Sequence, residues 1–418
     1  MFKIFNIKTF KINFSWIFFD KLFRGSLNIL LSIILARYLG PKDFGILNYL
    51  LALLFLFNIL ASFGINPILV NKIIKAKSDE DSLIINSYYF RLITSLFNFF
   101  LFILIIYFFN KNDLYFTYSL ILGLSLIFKS YEVLVSYFEA KSLLKYIVIS
   151  QLFGFISSLA IVTYIIYNNL DNKLLYFALT LDFIIVFFFI NFFYFRKKNK
   201  FFLRFSFLEI KKLISQSLPI LVTSLSIYLY MRIDQIMINE LLDEYNLGIY
   251  SVSVRYIEIF HFIPKIIMIS YLPIILKSKK YNSELLKLNS LLFKISLFIV
   301  VFLFISSKYI IPFIFGKFYI DSVLTTLILS FSLIFVFFGV VNEHWYVDKN
   351  YQKYYAINVL LGAITNISLN YLLIPKFGIN GAAYSTLVTY FLIIFLFDIF
   401  SNKTKKLLQI KINSLKIL

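Results

Sequence analysis

The sequence predicts an all-α polytopic membrane protein, with about 12 transmembrane helices in two parallel six-helix lobes around a central cavity. Three observations carry this. The chain is 61% hydrophobic and only 15% charged, far from the balance of a soluble domain. Its apolar residues gather into about a dozen runs, each near the roughly 20 residues that a helix needs to cross a bilayer. Connections between the runs alternate between rich and poor in Lys and Arg: residues 196–212 hold seven, residues 240–246 none. Short cytoplasmic loops retain positive charge, so the alternation places both termini in the cytoplasm. Orientation then explains most of the formal charge of +20, and no nucleic-acid partner is needed.

Taken in order, the runs fall near 16–36, 45–69, 84–109, 114–138, 146–168, 173–195, 213–239, 247–273, 286–307, 322–345, 354–374 and 380–400. Residues 1–14 carry Lys3, Lys8 and Lys11 among aromatics, without a small-residue cleavage site, and read as an interfacial lead-in. Between runs six and seven, residues 196–212 form the longest connection. Its Phe201-Phe202-Leu203-Arg204-Phe205 stretch reads equally as an interfacial segment or an ordinary basic loop. Beyond the twelfth run, 401–418 is a basic cytoplasmic tail. Thirty Tyr and two Trp make Tyr the main interfacial aromatic.

The halves resemble each other. Lys141-Ser-Leu-Leu-Lys145-Tyr146 returns as Lys349-Asn-Tyr-Gln-Lys353-Tyr354, and Ile149, Leu152, Gly154 and Ile156 are answered by Ile357, Leu360, Gly362 and Ile364. Asp43-Phe44-Gly45 has a counterpart in Asn246-Leu247-Gly248. Six spans per copy give both copies one orientation, the parallel repeat of a transporter plan. The expected domains are therefore an N-terminal lobe, 1–195, an inter-lobe linker, 196–212, and a C-terminal lobe, 213–400, followed by the tail.

Charges within the spans are costly, about 2.5–3.5 kcal/mol each on insertion scales, and tend to face water or a partner. They recur here at helical spacing. Span 1 aligns Asp20, Lys21, Arg24 and Asn28; span 3 aligns Arg91, Thr94, Ser95 and Asn98. Span 4 carries Ser125, Lys129, Glu132, Ser136 and Glu139, and span 8 Ser251, Arg255, Glu258, His261 and Lys265. In span 7, Arg232 shares a face with Tyr228, Gln235 and Asn239, while Asp234 points to the opposite, apolar side. Asp182 in span 6 has no local partner. The functional reading is a hydrated, net cationic chamber. Arg24, Arg232 and Arg255, joined by Lys129, would be its anion-binding heads, since guanidinium offers a planar fork to phosphate. Asp20, Asn28, Glu132, Glu258, His261, Asp234 and Asp182 are the polar and ion-coupling candidates. Asp20–Arg24 and Arg255–Glu258 also read as plain intrahelical salt bridges. Pro219 and Pro264 would bend spans 7 and 8.

Several chemistries are disfavoured. There is no phosphate-binding Gly-rich loop with Lys and Ser/Thr, no Cys and only two widely spaced His for a metal, and no Ser-centred elbow. No enzyme activity, metal or cofactor is expected. Membrane glycan polymerases need a large outer loop, and the outer connections here are short.

Three stretches carry a family resemblance: Ala36-Arg37-Tyr38-Leu39-Gly40-Pro41-Lys42-Asp43-Phe44-Gly45; Leu229-Tyr230-Met231-Arg232-Ile233-Asp234-Gln235-Ile236-Met237-Ile238 with Leu247-Gly248-Ile249-Tyr250-Ser251; and Phe377-Gly378-Ile379-Asn380-Gly381-Ala382-Ala383. In these the chain resembles the oligosaccharide-lipid flippases of O-antigen type, the polysaccharide biosynthesis membrane proteins of the multidrug/oligosaccharidyl-lipid/polysaccharide exporter superfamily. The turn Leu241-Leu242-Asp243-Glu244-Tyr245 departs from the family pattern. The resemblance implies translocation of undecaprenyl-diphosphate-linked oligosaccharide across a bacterial cytoplasmic membrane, for O-antigen, capsule or a related glycan. Alternating access would be driven by an ion (proton or sodium) or by the membrane potential. It also implies cavity arginines in spans 1 and 8, where Arg24 and Arg255 stand. Membrane lipids, a glycan polymerase and chain-length proteins are the implied partners. The alternatives are a multidrug/cation antiporter of the same superfamily, which would favour an acidic cavity, and a lipid II flippase, which commonly has two further spans.

Overall fold

The computed structural model describes residues 7–75, 80–109, 113–198, 206–400 and 403–416, with side chains from Arg24 onward apart from Phe400. Every regular element among them is helical. The 201–205 stretch lies outside the described residues, as does the side chain of Asp20.

The first helix, α1 (Ile7–Ser62), spans 56 residues. At about 1.5 Å per residue it is more than twice as long as the roughly 30 Å hydrocarbon layer. It is two spans joined at Gly40, whose φ of 70° and ψ of 176° interrupt the helix. A side chain rarely adopts that conformation, and Pro41 restarts the helix where its missing N–H costs nothing. A second break at Phe63 and Gly64, both with positive φ, leads into α2 (Ile65–Lys75). Next come α3 (Glu80–Phe109), α4 (Asp113–Phe128), a 3₁₀ turn at Lys129–Tyr131 and α5 (Glu132–Ala140). The pair α6 (Leu144–Tyr167) and α7 (Asn172–Lys197) follows, with Asp171 capping α7 through the Lys173 N–H at 2.8 Å.

Helix α8 (Phe207–Leu241) runs unbroken through Pro219. Asp243 caps α9 (Glu244–Glu258), accepting from the Asn246 N–H at 2.7 Å, the expected use of Asp at a helix start. A 3₁₀ turn at Ile259–His261 separates α9 from α10 (Phe262–Lys277). Its cause is local: Pro264 supplies no N–H and its ring crowds the carbonyl of Phe260. Then follow α11 (Tyr281–Ile314), α12 (Ser322–Ser330), α13 (Ser332–Asp348), α14 (Gln352–Phe377) and α15 (Ile379–Phe391). A π turn, Leu392–Leu396, and a 3₁₀ turn, Phe397–Phe400, end this helix before α16 (Lys405–Leu415).

Among the described residues, ten helices are long and apolar enough to cross a membrane, and the bent pair α12–α13 makes an eleventh. Because Arg24–Lys75 alone covers 52 residues, two bilayer lengths, the crossings number about twelve. Large apolar side chains face outward, Phe298 at 73% and Phe313 at 79% exposure, which suits lipid and not water. The chain is a polytopic membrane protein.

It packs as two compact units. One comprises the described residues up to Leu31 with Leu50–Leu225; the other comprises Ser32–Tyr49 with Ser226 onward. Thus α1 contributes its ends to the first unit and its middle to the second, and α8 is divided at Leu225. Gly64 carries no side chain because α8 leaves no room: an added Cβ would meet the Leu221 N at 2.9 Å. The first unit's core joins Ile65, Leu69 and Ile73 of α2 to Leu134 and Phe138 of α5 and Val186 and Ile190 of α7. In the second unit, α9 packs on α12, α12 on α15 and α11 on α13.

The repeat in the sequence is also one of backbone shape. Ser142 (φ 56°) and Asn350 (φ 57°) both take the left-handed conformation. Around Ser142, the Leu143 N–H donates to the Phe138 carbonyl at 2.8 Å; around Asn350, Tyr351 donates to Tyr346 at 2.8 Å. Both turns are the same helix-ending motif.

Residues 405–415 of the basic tail form α16, which packs on α11. Lys411 and Asp398, both without solvent exposure, pair at 2.5 Å. The same ammonium donates to the Ile394 carbonyl, and the Tyr346 hydroxyl donates to Asp398. Ile394 lies in the π turn, whose loosened ladder frees a carbonyl for that bond.

Candidate functional site

In the first unit the polar interior is built around Arg91, Glu132 and Asn58. Arg91 is fully buried. Its guanidinium donates to Asn58 Oδ1 at 2.7 Å, to the Asn58 carbonyl at 3.2 Å and to Glu132 Oε2 at 3.1 Å. Glu132 opens α5 just after the 3₁₀ turn at Lys129–Tyr131. That turn also carries Lys129, whose ammonium lies 4.4 Å from the centre of the Phe183 ring, a cation–π contact. Arg24 and Lys129, both distant in sequence, are the cations within electrostatic reach of Asp182. Gly154 lets α6 come this close to α7, since a Cβ there would stand 2.5 Å from Asp182 Oδ1. Arg24 donates to Gln151 Oε1 on α6. Asn28, one turn along α1, is exposed.

In the second unit one carboxylate holds two guanidiniums. Glu258, the last residue of α9, accepts from Arg232 of α8 at 2.5 Å and lies 3.5 Å from Arg255. The Arg255–Glu258 pair expected from i, i+3 spacing is present, but Arg232 is the closer partner. His261 and Lys265, on the next turns, lie within electrostatic reach of Glu258. These side chains keep partial exposure, 23% for Arg232, 34% for Arg255 and 24% for Glu258. Asp234, on the face expected to be apolar, is buried. It accepts from the Tyr250 hydroxyl of α9 and from the Gln235 N–H at 2.8 Å.

The candidate residues thus fall into two groups. Arg24, Lys129, Glu132 and Asp182 belong to the first unit; Arg232, Arg255, Glu258, His261 and Asp234 belong to the second. Among the described side chains, each group keeps a surplus of one cation. In the first, Arg24, Arg91 and Lys129 face Glu132 and Asp182; in the second, Arg232, Arg255 and Lys265 face Glu258 and Asp234. Sequence reasoning marked Arg91 as polar but assigned it no site role, and it missed Asn58, Gln151 and Tyr250. Asn58 and Gln151 are side-chain amides within apolar spans, which is the signal they offered. Among the described residues no cluster of His, Asp or Glu is arranged to hold a metal ion.

The fold is that of known transporters. The chain superposes on the lipid II flippase MurJ in an inward closed conformation with a TM-score of 0.72 at 17% identity, covering 97% of this chain and 90% of that one. A multidrug resistance MATE family transporter of the MOP superfamily, in an inward-facing conformation, gives 0.69 at 14% identity, with 91% and 96% covered. A MOP superfamily transporter from Pyrococcus furiosus, described as having a binding pocket of reversed polarity, gives 0.62 at 13% identity, with 93% and 95% covered. No protein of curated function is significantly similar in sequence. The family model for polysaccharide biosynthesis proteins matches residues 10–279, which take in the Gly40 bend, the Arg91–Glu132 cluster and the Arg232–Glu258–Arg255 triad. With the helical architecture and the sequence profile in agreement over most of its length, the chain belongs to the polysaccharide biosynthesis protein family.

Proposed function

We propose that this protein is a flippase that carries undecaprenyl-diphosphate-linked oligosaccharide from the cytoplasmic to the outer leaflet of a bacterial cytoplasmic membrane, for O-antigen, capsule or a related surface glycan. The supporting observation is the cation surplus of both polar clusters among the described side chains, in which arginines and a lysine outnumber the carboxylates beside them. A diphosphate diester brings two negative charges. Arg24, Arg232, Arg255 and Lys129 are the groups proposed to receive it, because partly paired guanidiniums can exchange a carboxylate for a phosphate oxygen without leaving a charge bare. Glu258 is then the internal surrogate that holds Arg232 and Arg255 between cycles. The remaining polar groups, Asp20, Asn28, Glu132, His261, Asp234 and Asp182, serve the sugar and any coupling proton or sodium.

The membrane potential favours the proposed direction. Moving charge across it is worth about 2.3 kcal/mol per elementary charge per 100 mV. With two surplus cations and a head of two negative charges the loaded site is neutral, so an inside-negative potential acts on the return of the emptied cationic site, which it draws back inward. The two repeats would move as two bodies, with Ser32–Tyr49 travelling with the second, and with both termini in the cytoplasm.

The rival reading is a multidrug/cation antiporter, for which MATE-like architecture alone speaks. A transported cation calls for surplus carboxylate, and both clusters have the opposite balance. A lipid II flippase remains as a second glycan-lipid substrate. The test is Arg24→Ala, Arg232→Ala and Arg255→Ala, each in the full chain: surface glycan should be lost while membrane insertion is kept. Normal glycan in all three variants would remove the proposal.

A further inference from the structure

A cavity of about 390 Å³ opens on the first unit beside the end of α2. It is lined by Ile68, Asn71, Lys72 and Lys75 of α2 and by Gln216 of α8. None of these residues belongs to the two polar clusters. Its volume lies in the range of small-molecule sites. Its chemistry is graded: Ile68 lies a turn deeper than Lys72, and both lysines occupy the last turn of α2, on the side that the charge pattern assigns to the cytoplasm.

Among the described residues the cavity is basic, with Lys72 and Lys75 in its wall. Neither Lys72 nor Lys75 makes an ion pair among the described residues. Lys212, one helical turn before Gln216, adds a third cation within electrostatic reach of Lys72. The acid in reach, Glu209, is engaged elsewhere: it accepts from Asn86 at 2.7 Å and from Ser82 at 3.3 Å. Asn71 and Gln216 bring amide donors and acceptors that are suited to hydroxyls. Ile68 brings an aliphatic side chain to the cavity wall. Cations and amides at the water boundary, with the aliphatic Ile68 a turn deeper, match a molecule with a phosphate head, hydroxyls and acyl tails. A basic pocket between helices at the cytoplasmic interface is a recurrent lipid-binding arrangement.

We propose that this cavity binds the headgroup of an anionic glycerophospholipid, with Lys72 and Lys75 on the phosphate, Asn71 and Gln216 on the headgroup hydroxyls, and the start of the acyl chains against Ile68. The site is independent of the proposed flippase substrate. It would anchor the end of α2 against the start of α8 to the inner leaflet.

Native mass spectrometry of the full chain in detergent tests this, with phosphatidylglycerol, phosphatidylcholine and inorganic phosphate as separate probes. Phosphatidylglycerol should be retained, phosphatidylcholine should not, and excess inorganic phosphate should leave the lipid in place. A lysine near a membrane surface contributes about 1 kcal/mol, so Lys72→Gln with Lys75→Gln should weaken retention by about tenfold or more. The pair Lys72→Arg with Lys75→Arg should keep it, which separates a lost site from a lost fold. Lys279→Gln with Lys280→Gln removes the same charge from exposed positions outside the cavity and should have no effect. Equal retention by the Lys72/Lys75 glutamine variant, equal binding of phosphatidylcholine, or displacement by inorganic phosphate would each overturn the proposal.

Discussion

Gly45 and Gly248 occupy reciprocal positions in one helix crossing. A Cβ added to Gly45 would overlap the Glu244 carbonyl, and one added to Gly248 would overlap the Pro41 carbonyl. Both glycines belong to the second unit and open corresponding spans of the sequence repeat. Around them, the Tyr319 hydroxyl donates to the Ala36 carbonyl at 2.8 Å and the Tyr49 hydroxyl to Glu240 at 2.6 Å. The obstacle in each case is backbone, which cannot turn aside as a side chain can. Gly45→Ala and Gly248→Ala should therefore each lower stability by about 1–3 kcal/mol. Because either methyl forces the same crossing apart, the double variant should cost less than the sum of the two. Thermal unfolding in detergent checks this, and full additivity would contradict a shared contact.

Arg91 is fully buried and donates to both Asn58 and Glu132. Arg91→Met leaves Glu132 and Asn58 facing an apolar group, and breaking a buried pair costs about 3–5 kcal/mol. Arg91→Met with Glu132→Leu should recover part of that loss. Arg91→Lys should fall between, since an ammonium cannot reproduce the forked geometry. Unfolding midpoints of the three variants decide the order.

The pair Lys411–Asp398 makes α16 part of the fold. Lys411→Met should release this helix, read as faster amide exchange over 405–415 and new protease cutting there, whereas Lys411→Met with Asp398→Leu should restore much of the protection. Unchanged exchange in the single variant would mean that α16 is held by apolar contacts alone.

At the basic side of the first unit, Lys198 pairs with Asp81 at 2.5 Å and Lys141 with Glu80 at 2.5 Å. Burial pushes the Lys198 ammonium down from its ordinary value of 10.5, but the hydrogen bond and charge of Asp81 outweigh this and raise it. A raised lysine contributes stability that is fully present below its unfolded value and is lost as pH climbs past the folded one. The gap in unfolding temperature between wild type and Lys198→Met should thus be constant up to a pH of about 10.5 and close above it. A gap that persists in strong alkali would point to packing instead.

Local relationships were legible in the sequence. The spans follow from run length, the Arg255–Glu258 pair from i, i+3 spacing, and the matched turns at Ser142 and Asn350 from the repeated Lys-x-x-x-Lys-Tyr pattern. Relationships across the chain were not. Asp182 looked solitary because Arg24 is 158 positions away in the sequence. Asp234 reads as pointing to an apolar side because its partner, Tyr250, sits on another helix. Asp398 and Lys411 read as a span end and a tail because nothing in either segment announces that they meet. The passage of Ser32–Tyr49 into the second unit depends on Gly45 and Gly248, and a glycine's use in close packing shows only once its neighbour is known. Of the candidate site, the residue types were readable and their pairing was not.

The central claim is best tested by reconstituting the purified chain in vesicles that carry an isoprenyl-diphosphate oligosaccharide and measuring how fast the sugar becomes accessible to an impermeant probe on the far side. The account predicts translocation that quickens when the potential draws the emptied cationic site back to the loading side, and loss of at least about tenfold, some 1.4 kcal/mol, in Arg232→Ala with Arg255→Ala. Translocation indifferent to both arginines and to the potential would contradict it.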